Sequence, residues 1–225
     1  MNSKTVKFNQ IDISKFNGLL IDIDDTLYNY QKCHLYAIRK CYENFTNLKL
    51  ISMSFDEFSN SYRSARNKVT DQLAFQGSCR SRLLAFQIMF EKLLPNYDFK
   101  KYNHALSFEK LYWDELIGCI QIYPGAYSFL EGAFNQGKKI CLVSDMQMGI
   151  QIKKINKLGV EKFISYLVTS EEVGEEKPSE NIYKLALEKL GMSKDEVCMI
   201  GDNPDKDYHG ANKFGISSFL ISEEL

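Results

Sequence analysis

The sequence lacks the features that would place the protein in a membrane, outside the cell or on nucleic acid. No stretch approaches the ~18 apolar residues that a membrane-spanning helix requires, and the opening residues MNSKTVKFNQ contain no apolar core typical of a signal sequence. The formal net charge of −1 provides no bulk attraction to nucleic acid or to an anionic membrane. We therefore expect a cytoplasmic protein with no nucleic-acid partner and no membrane partner.

Paired cysteines and clustered histidines are missing as well. The six cysteines are scattered and none forms a C-x-x-C motif, so we interpret them as reduced core or surface thiols. His34, His104 and His209 share no segment with a second type of metal ligand, and we interpret them as incidental. The chain also has no internal repeat and no low-complexity linker. Its organisation is therefore inferred from the periodicity of its hydrophobic residues.

Two hydrophobic patterns divide the chain. Across residues 30–120, apolar side chains recur at spacings of three and four, which predicts an all-helical segment. In residues 19–23 and again from residue 123 onward, apolar runs alternate with amphipathic helices, the pattern of a parallel sheet wound by crossovers. The predicted fold class is therefore α/β, with a sheet-containing core formed by residues 1–29 and 121–225 and a helical insertion at 30–120.

The first predicted strand runs into a cluster of acidic residues in the segment GLLIDIDDTL. Because successive strand residues face opposite ways, Asp22 and Asp24 are expected to point to the same side. Two carboxylates on one side need a cation, a shared proton or open water. The alternative is an acidic turn in which Asp25 and Thr26 cap the next helix.

Polar residues also follow the later strands. They are Ser144 and Asp145 after KKICLV, Lys177 and Pro178 beyond LVTS, and Gly201, Asp202, Asn203, Asp205 and Asp207 after VCMI. Each group taken singly also fits a helix cap or a solvated surface. The carboxyl ends of parallel strands meet at one edge of a sheet, where open α/β folds bind ligands. Convergence of all these groups on that edge favours a binding site.

In this order and at these strand ends, the segments resemble the haloacid dehalogenase-like hydrolase superfamily, whose first motif is D-x-D-x-T. The resemblance covers essentially the whole chain, from DIDDT at Asp22 through LVSD and KP to GDNPDKD at Asp202. It implies a Rossmann-like parallel-sheet core with an α-helical cap inserted directly after the first motif. It also favours phosphoryl transfer over carbon–halogen cleavage, because dehalogenases of the family lack a carboxylate at the position of Asp24.

The resemblance implies a role for each group. Asp22 would be the nucleophile and Asp24 the general acid/base, with Thr26 orienting Asp24. Phosphate would be bound by Ser144, Asp145 and Lys177. The expected cofactor Mg²⁺ would be bound by Asp22, Asp202 and the Asp24 carbonyl. Asn203 and Asp207 would support the site. Mg²⁺ prefers oxygen ligands, which this set supplies.

The identity of the substrate is not encoded in these motifs, because the same chemistry serves every phosphomonoester. We expect a small soluble phosphorylated metabolite, with a sugar phosphate as one candidate, and a monomer or homodimer. In the insertion, Arg80 and Arg82 of GSCRSRLL are the candidate specificity residues, since guanidinium groups suit phosphates, carboxylates and sugar hydroxyls. Ordinary surface arginines are the alternative.

Three functions follow from different uses of one site. The first is a Mg²⁺-dependent phosphatase acting through an aspartyl-phosphate intermediate. The second is a phosphomutase of the same fold, which returns the phosphoryl group to a substrate hydroxyl. The third is a non-catalytic phosphate-binding module, which the intact set of Asp22, Asp24, Lys177 and Asp202 disfavours.

Overall fold

The computed structural model describes residues 5–74, 76–96 and 99–222. The chain divides into two compact units, one formed by Met1–Tyr30 with Ile120–Leu225 and the other by Gln31–Cys119. We call them the sheet unit and the helical unit. Each junction lies one residue from the boundary expected from the hydrophobic pattern, which placed the insertion at 30–120.

The described part of the helical unit contains four long helices: α1 (Tyr30–Asn47), α2 (Phe55–Gln72), α3 (Arg82–Leu93) and α4 (Lys100–Cys119). A 3₁₀ turn at Gly77–Arg80 precedes α3. Aromatic rings fill the space between the helices, and Phe90 and Phe108 meet edge to face with their centroids 4.9 Å apart. Such pairs add to the stabilisation from burial. Nowhere in the described residues does a helix combine the length and apolar character that a membrane crossing demands.

The described part of the sheet unit contains a five-stranded parallel sheet in the order β3-β2-β1-β4-β5. The strands are β1 (Gly18–Ile21), β2 (Lys139–Ser144), β3 (Tyr166–Thr169), β4 (Val197–Gly201) and β5 (Ser217–Leu220). Every residue of β1 is buried, as expected for a central strand covered on both faces. The predicted α/β class with a parallel sheet is confirmed.

Helices connect these strands: α5 (Pro124–Asn135), α6 (Met148–Leu158), α7 (Ser170–Val173), α8 (Glu180–Leu190) and α9 (Ala211–Phe214), with a π-helix at Pro204–Gly210 before α9. The pattern-based assignment places the start of β3 too early. The apolar run at residues 163–168 predicts a strand over that range, but Phe163 ends a 3₁₀ turn and its ring packs on Tyr127 and Phe134. The strand begins only at Tyr166.

Candidate active site

Asp22 follows directly after β1. Its backbone N–H donates to the carbonyl of Ile200 in β4 over 3.0 Å, so the parallel pairing continues for one more residue. Its side chain is only 7% exposed and lies at the carboxyl-terminal edge of the sheet. The chain then turns at Asp25, whose φ of 60° lies in the left-handed region that aspartate tolerates better than most residues. This turn brings Thr26 back to Asp22.

Lys177 lies beyond β3 and α7 and is almost fully buried. Its Nζ donates to Asp22 Oδ1 at 2.6 Å, to Asp207 Oδ1 at 2.7 Å and to the carbonyl of Val143 at 3.0 Å. Burial alone would lower the pKa of Lys177, but the charges of Asp207 and Asp22 raise it well above its ordinary value. The positively charged form of Lys177 is therefore favoured beside Asp22.

Thr26 joins Asp22 to the segment after β4. Its buried Oγ1 accepts a hydrogen bond from the Asp202 N–H at 3.1 Å, and it lies 2.9 Å from Asp202 Oδ1 and 3.2 Å from Asp22 Oδ2. The expectation that Thr26 orients Asp24 therefore needs correction. The left-handed residue before Thr26 turns its hydroxyl toward Asp22 and Asp202 instead.

Asp207 and Asn203 shape the loop that carries Asp202. Asp207 Oδ1 accepts from Lys177, and its Oδ2 accepts from the Asn203 N–H at 3.0 Å. The side-chain oxygen of Asn203 caps the π-helix by accepting from the N–H groups of residues 205 and 206. A Cβ on Gly201 would lie 2.3 Å from Asp207 Oδ2, so glycine is required for this close approach. The supporting roles of Asn203 and Asp207 stay a prediction.

The carboxylates of Asp22, Asp202 and Asp207 offer oxygen atoms within 4.8 Å of one another. Burial, together with the charges of Asp207 and Asp202, raises the pKa of Asp22 well above its ordinary value despite Lys177. Burial and the neighbouring Asp207 raise the pKa of Asp202 to about 6. A divalent cation would relieve this repulsion, and an oxygen-only donor set suits Mg²⁺. The residues present therefore fit the expected metal.

Asp24 is held by residues that the sequence analysis did not single out. Lys154 Nζ lies 2.6 and 2.9 Å from its two carboxylate oxygens. The hydroxyl of Tyr28 donates to Oδ1, and Gln151 Nε2 donates to Oδ2 at 3.2 Å. Burial alone would raise the pKa of Asp24, but the charge and hydrogen bonds of Lys154 lower it on balance. A polar residue on the buried face of α6 was the signal that could have revealed Gln151 and Lys154.

Ser144 ends β2 and is buried, with its Oγ accepting from Gln151 Nε2 at 2.5 Å. The neighbouring Asp145 carboxylate accepts from the Lys177 N–H and from Lys206 Nζ, both at 2.8 Å. Since both oxygens of Asp145 are bonded to lysine, a phosphate contact by this residue would use its backbone N–H. Phosphate binding by Ser144, Asp145 and Lys177 stays a prediction.

Comparison with known protein families agrees with this geometry. The model of the family described as haloacid dehalogenase-like hydrolase matches residues 19–221, which is most of the chain. The chain is a haloacid dehalogenase-like hydrolase. The family resemblance inferred from the four motifs is thereby confirmed.

Two of the relatives that match nearly the whole chain are phosphatases by name. The ribulose-1,5-bisphosphate 5-phosphatase of Halopiger xanaduensis is 28% identical over 92% of this chain and 86% of its own length. The glyceraldehyde 3-phosphate phosphatase of Methanocaldococcus jannaschii is 27% identical over 91% and 84%, respectively. Among solved structures, the HAD hydrolase YfnB of Bacillus subtilis shares the fold with a TM-score of 0.69 at 22% identity, covering 91% of this chain and 88% of its own.

The candidate specificity residues of this haloacid dehalogenase-like hydrolase lie in the helical unit. Arg82 is 5% exposed and its guanidinium lies 5.6 Å from the ring centroids of both Tyr112 and Trp113. Its Nη1 donates to the Arg80 carbonyl at 3.2 Å. Arg82 is therefore not an ordinary surface arginine, whereas Arg80 is half-buried. Substrate contact by either residue stays a prediction.

Proposed function

We propose that the protein is a Mg²⁺-dependent phosphatase that hydrolyses a small soluble phosphomonoester through an aspartyl-phosphate on Asp22. The observation that carries the proposal is the position of Asp22 at the end of the central strand, 2.6 Å from the buried ammonium of Lys177 and within reach of Asp202 through Thr26. A carboxylate can attack a phosphate dianion only where positive charge screens their repulsion. The two relatives named above act on phosphorylated sugars, which supports a substrate of that class.

In the first step, a carboxylate oxygen of Asp22 forms a bond to phosphorus while the bond between phosphorus and the leaving oxygen breaks. The negative charge of the bound phosphate favours the protonated form of Asp24 in the complex, and Asp24 gives that proton to the leaving oxygen, so the product leaves as an alcohol. Lys177 reduces the charge at the nucleophile. The hydroxyl of Ser144 and the N–H groups that follow β2 bind phosphoryl oxygens.

In the second step, water attacks the phosphorus of the aspartyl-phosphate and gives a proton to Asp24. The bond from phosphorus to Asp22 breaks, and inorganic phosphate leaves. Both aspartates return to their starting protonation states. The same residue thus serves as acid and then as base.

The metal would be held by the carboxylates of Asp22 and Asp202 together with the backbone carbonyl of Asp24. When bound, Mg²⁺ supplies positive charge that neutralises the phosphoryl oxygens and the clustered carboxylates. Asp207 contributes indirectly, because both of its oxygens already accept hydrogen bonds from Lys177 and Asn203.

A panel of phosphorylated metabolites assayed with Mg²⁺ tests the proposal, with release of inorganic phosphate as the readout. We expect release from small sugar phosphates by the wild type and none by Asp22→Asn. Isomerisation of a sugar phosphate without release would identify a phosphomutase. Binding without either reaction would identify a phosphate-binding module, and both results would contradict the proposal.

A further inference from the structure

Two polar side chains on α6 are completely buried. Gln151 and Lys154 lie almost one helical turn apart, and neither exposes any surface. Burying an ammonium costs several kcal/mol unless it is paired, and burying an amide is costly unless it is hydrogen-bonded. Both residues direct their donor groups at the candidate active site, so their contacts there explain why they are polar.

Lys154 fixes the Asp24 carboxylate. Its Nζ lies 2.6 Å from Oδ1 and 2.9 Å from Oδ2, so one ammonium engages both oxygens. The ammonium also lies 5.9 and 5.4 Å from the ring centroids of Tyr28 and Tyr30. The Tyr28 hydroxyl donates to Asp24 as well. Neighbours on several sides therefore restrict where the Asp24 carboxylate can lie.

Gln151 connects Asp24 to Ser144. Its Nε2 donates to Ser144 Oγ at 2.5 Å and to Asp24 Oδ2 at 3.2 Å. The opposite amide orientation would place the amide oxygen against a carboxylate, which is unfavourable. A hydroxyl has a single proton. Since the Ser144 oxygen accepts from Gln151, its proton is left to be donated to another group.

We propose that Lys154 and Gln151 are positioning residues for phosphoryl transfer. Lys154 holds Asp24 where it passes its proton to the leaving oxygen, and Gln151 directs the Ser144 proton to a phosphoryl oxygen. The inference rests on the proposed phosphatase function. When Asp24 gives up its proton, the carboxylate that remains lies beside the ammonium of Lys154, which stabilises it.

The test compares kcat/KM for two substrates that differ in their need for an acid. An alkyl phosphate hydrolysed by the wild type needs protonation of its leaving oxygen, whereas p-nitrophenyl phosphate does not. Lys154→Met should lower kcat/KM for the alkyl phosphate roughly 100-fold, with p-nitrophenyl phosphate changed less than about 5-fold. Lys154→Arg should recover most of the loss. Lys153→Met, an exposed neighbour on the same helix, is the matched control and should change neither value.

Gln151→Leu tests the second contact without removing a charge. Because Ser144 would meet the phosphoryl group of every substrate, we expect a loss of about 10-fold in kcat/KM for both substrates alike. This variant also keeps the proposal testable if circular dichroism shows that Lys154→Met does not fold.

The inference and the proposed function fail in different ways. A wild type that releases no phosphate from any substrate refutes the proposed function. An active wild type whose folded Lys154→Met loses the same factor on both substrates, or gains activity, refutes the positioning role of Lys154. Unchanged kinetics in Gln151→Leu refutes the role of Gln151.

Discussion

The two units bury cationic side chains in different surroundings. In the sheet unit, Lys154 and Lys177 each lie against aspartate carboxylates at 2.6 Å. In the helical unit, the buried guanidinium of Arg82 lies against the rings of Tyr112 and Trp113. An ion pair in a buried site leaves a costly unpaired charge when one partner is removed, whereas the contact between a cation and an aromatic ring leaves no unpaired charge on the ring. Replacing a buried cation should therefore lower the free energy of unfolding more in the sheet unit than in the helical unit.

The largest expected effect is on the nucleophile of the sheet unit. Asp22→Asn should lower turnover by at least about 10⁴-fold, because an amide cannot form the acyl-phosphate. The fold should survive, since Lys177 keeps Asp207 as a partner. Phosphate release and thermal melting monitored by circular dichroism measure the two effects. Substantial turnover by the folded variant would contradict the mechanism.

Removal of metal should come next. A chelator should lower activity by at least about 10³-fold, and Mg²⁺ should restore it while Ca²⁺ does so poorly, because the looser coordination of Ca²⁺ misplaces the nucleophile. Asp202→Ala should raise the Mg²⁺ concentration needed for half-maximal activity. Full activity of chelated, metal-free enzyme would rule out the metal's role.

A pair of substitutions tests the comparison directly. Lys177→Met should lower the free energy of unfolding by about 3–5 kcal/mol, because it removes the ammonium that pairs with the buried carboxylates of Asp22 and Asp207. Arg82→Met should cost less than Lys177→Met, because a desolvated cation–π contact is worth about 2 kcal/mol and the hydrogen bond to the Arg80 carbonyl about 1 kcal/mol. Urea unfolding of both variants measures the difference. Equal losses would show that the two buried cations are energetically equivalent.

The next prediction concerns Arg80, the half-buried arginine of the helical unit. Arg80→Ala should lower kcat/KM for the natural substrate by roughly 10–100-fold, which corresponds to a lost charge-assisted contact, and should barely affect p-nitrophenyl phosphate. Kinetics on both substrates provide the measurement. A parallel loss on both would assign Arg80 to folding, and no loss would place the specificity contacts elsewhere.

The smallest effect is on pH dependence. The pKa of Asp202 rises from 3.8 to about 6 on folding, so the folded state holds a proton that the unfolded state has lost between these values. This residue therefore makes metal-free protein less stable as pH rises from 4 to 6. Asp202→Asn should raise the free energy of unfolding by about 1–2 kcal/mol more at pH 7 than at pH 4. Urea unfolding at both pH values tests this, and a pH-independent difference would refute it.

Most of the site could be predicted because its residues follow strands. Continuous apolar runs in the sequence indicate buried strands. Because parallel strands all run in one direction, the residues that follow them lie at the same edge of the sheet. Asp22, Ser144, Lys177 and Asp202 were found in this way. The strand at 163–168 was misplaced because an aromatic residue in a turn, Phe163, has the same local pattern as a strand residue.

The partners of these residues depend on contacts between distant parts of the chain. Thr26 lies four residues from Asp22 and 176 from Asp202, yet its hydroxyl joins the two because the turn at Asp25 is left-handed. Periodicity carries no information on such a turn.

The sequence by itself determined the α/β class, the interruption of the sheet by a helical segment and the acidic groups at the strand ends, because each depends on residues that are neighbours along the chain. Only the tertiary structure decided that Lys154 and Gln151 reach Asp24. They are 130 and 127 residues away from it, and their contact exists because α6 packs beside the turn that follows β1. A helical pattern predicts which face of α6 is buried but not which residues that face meets.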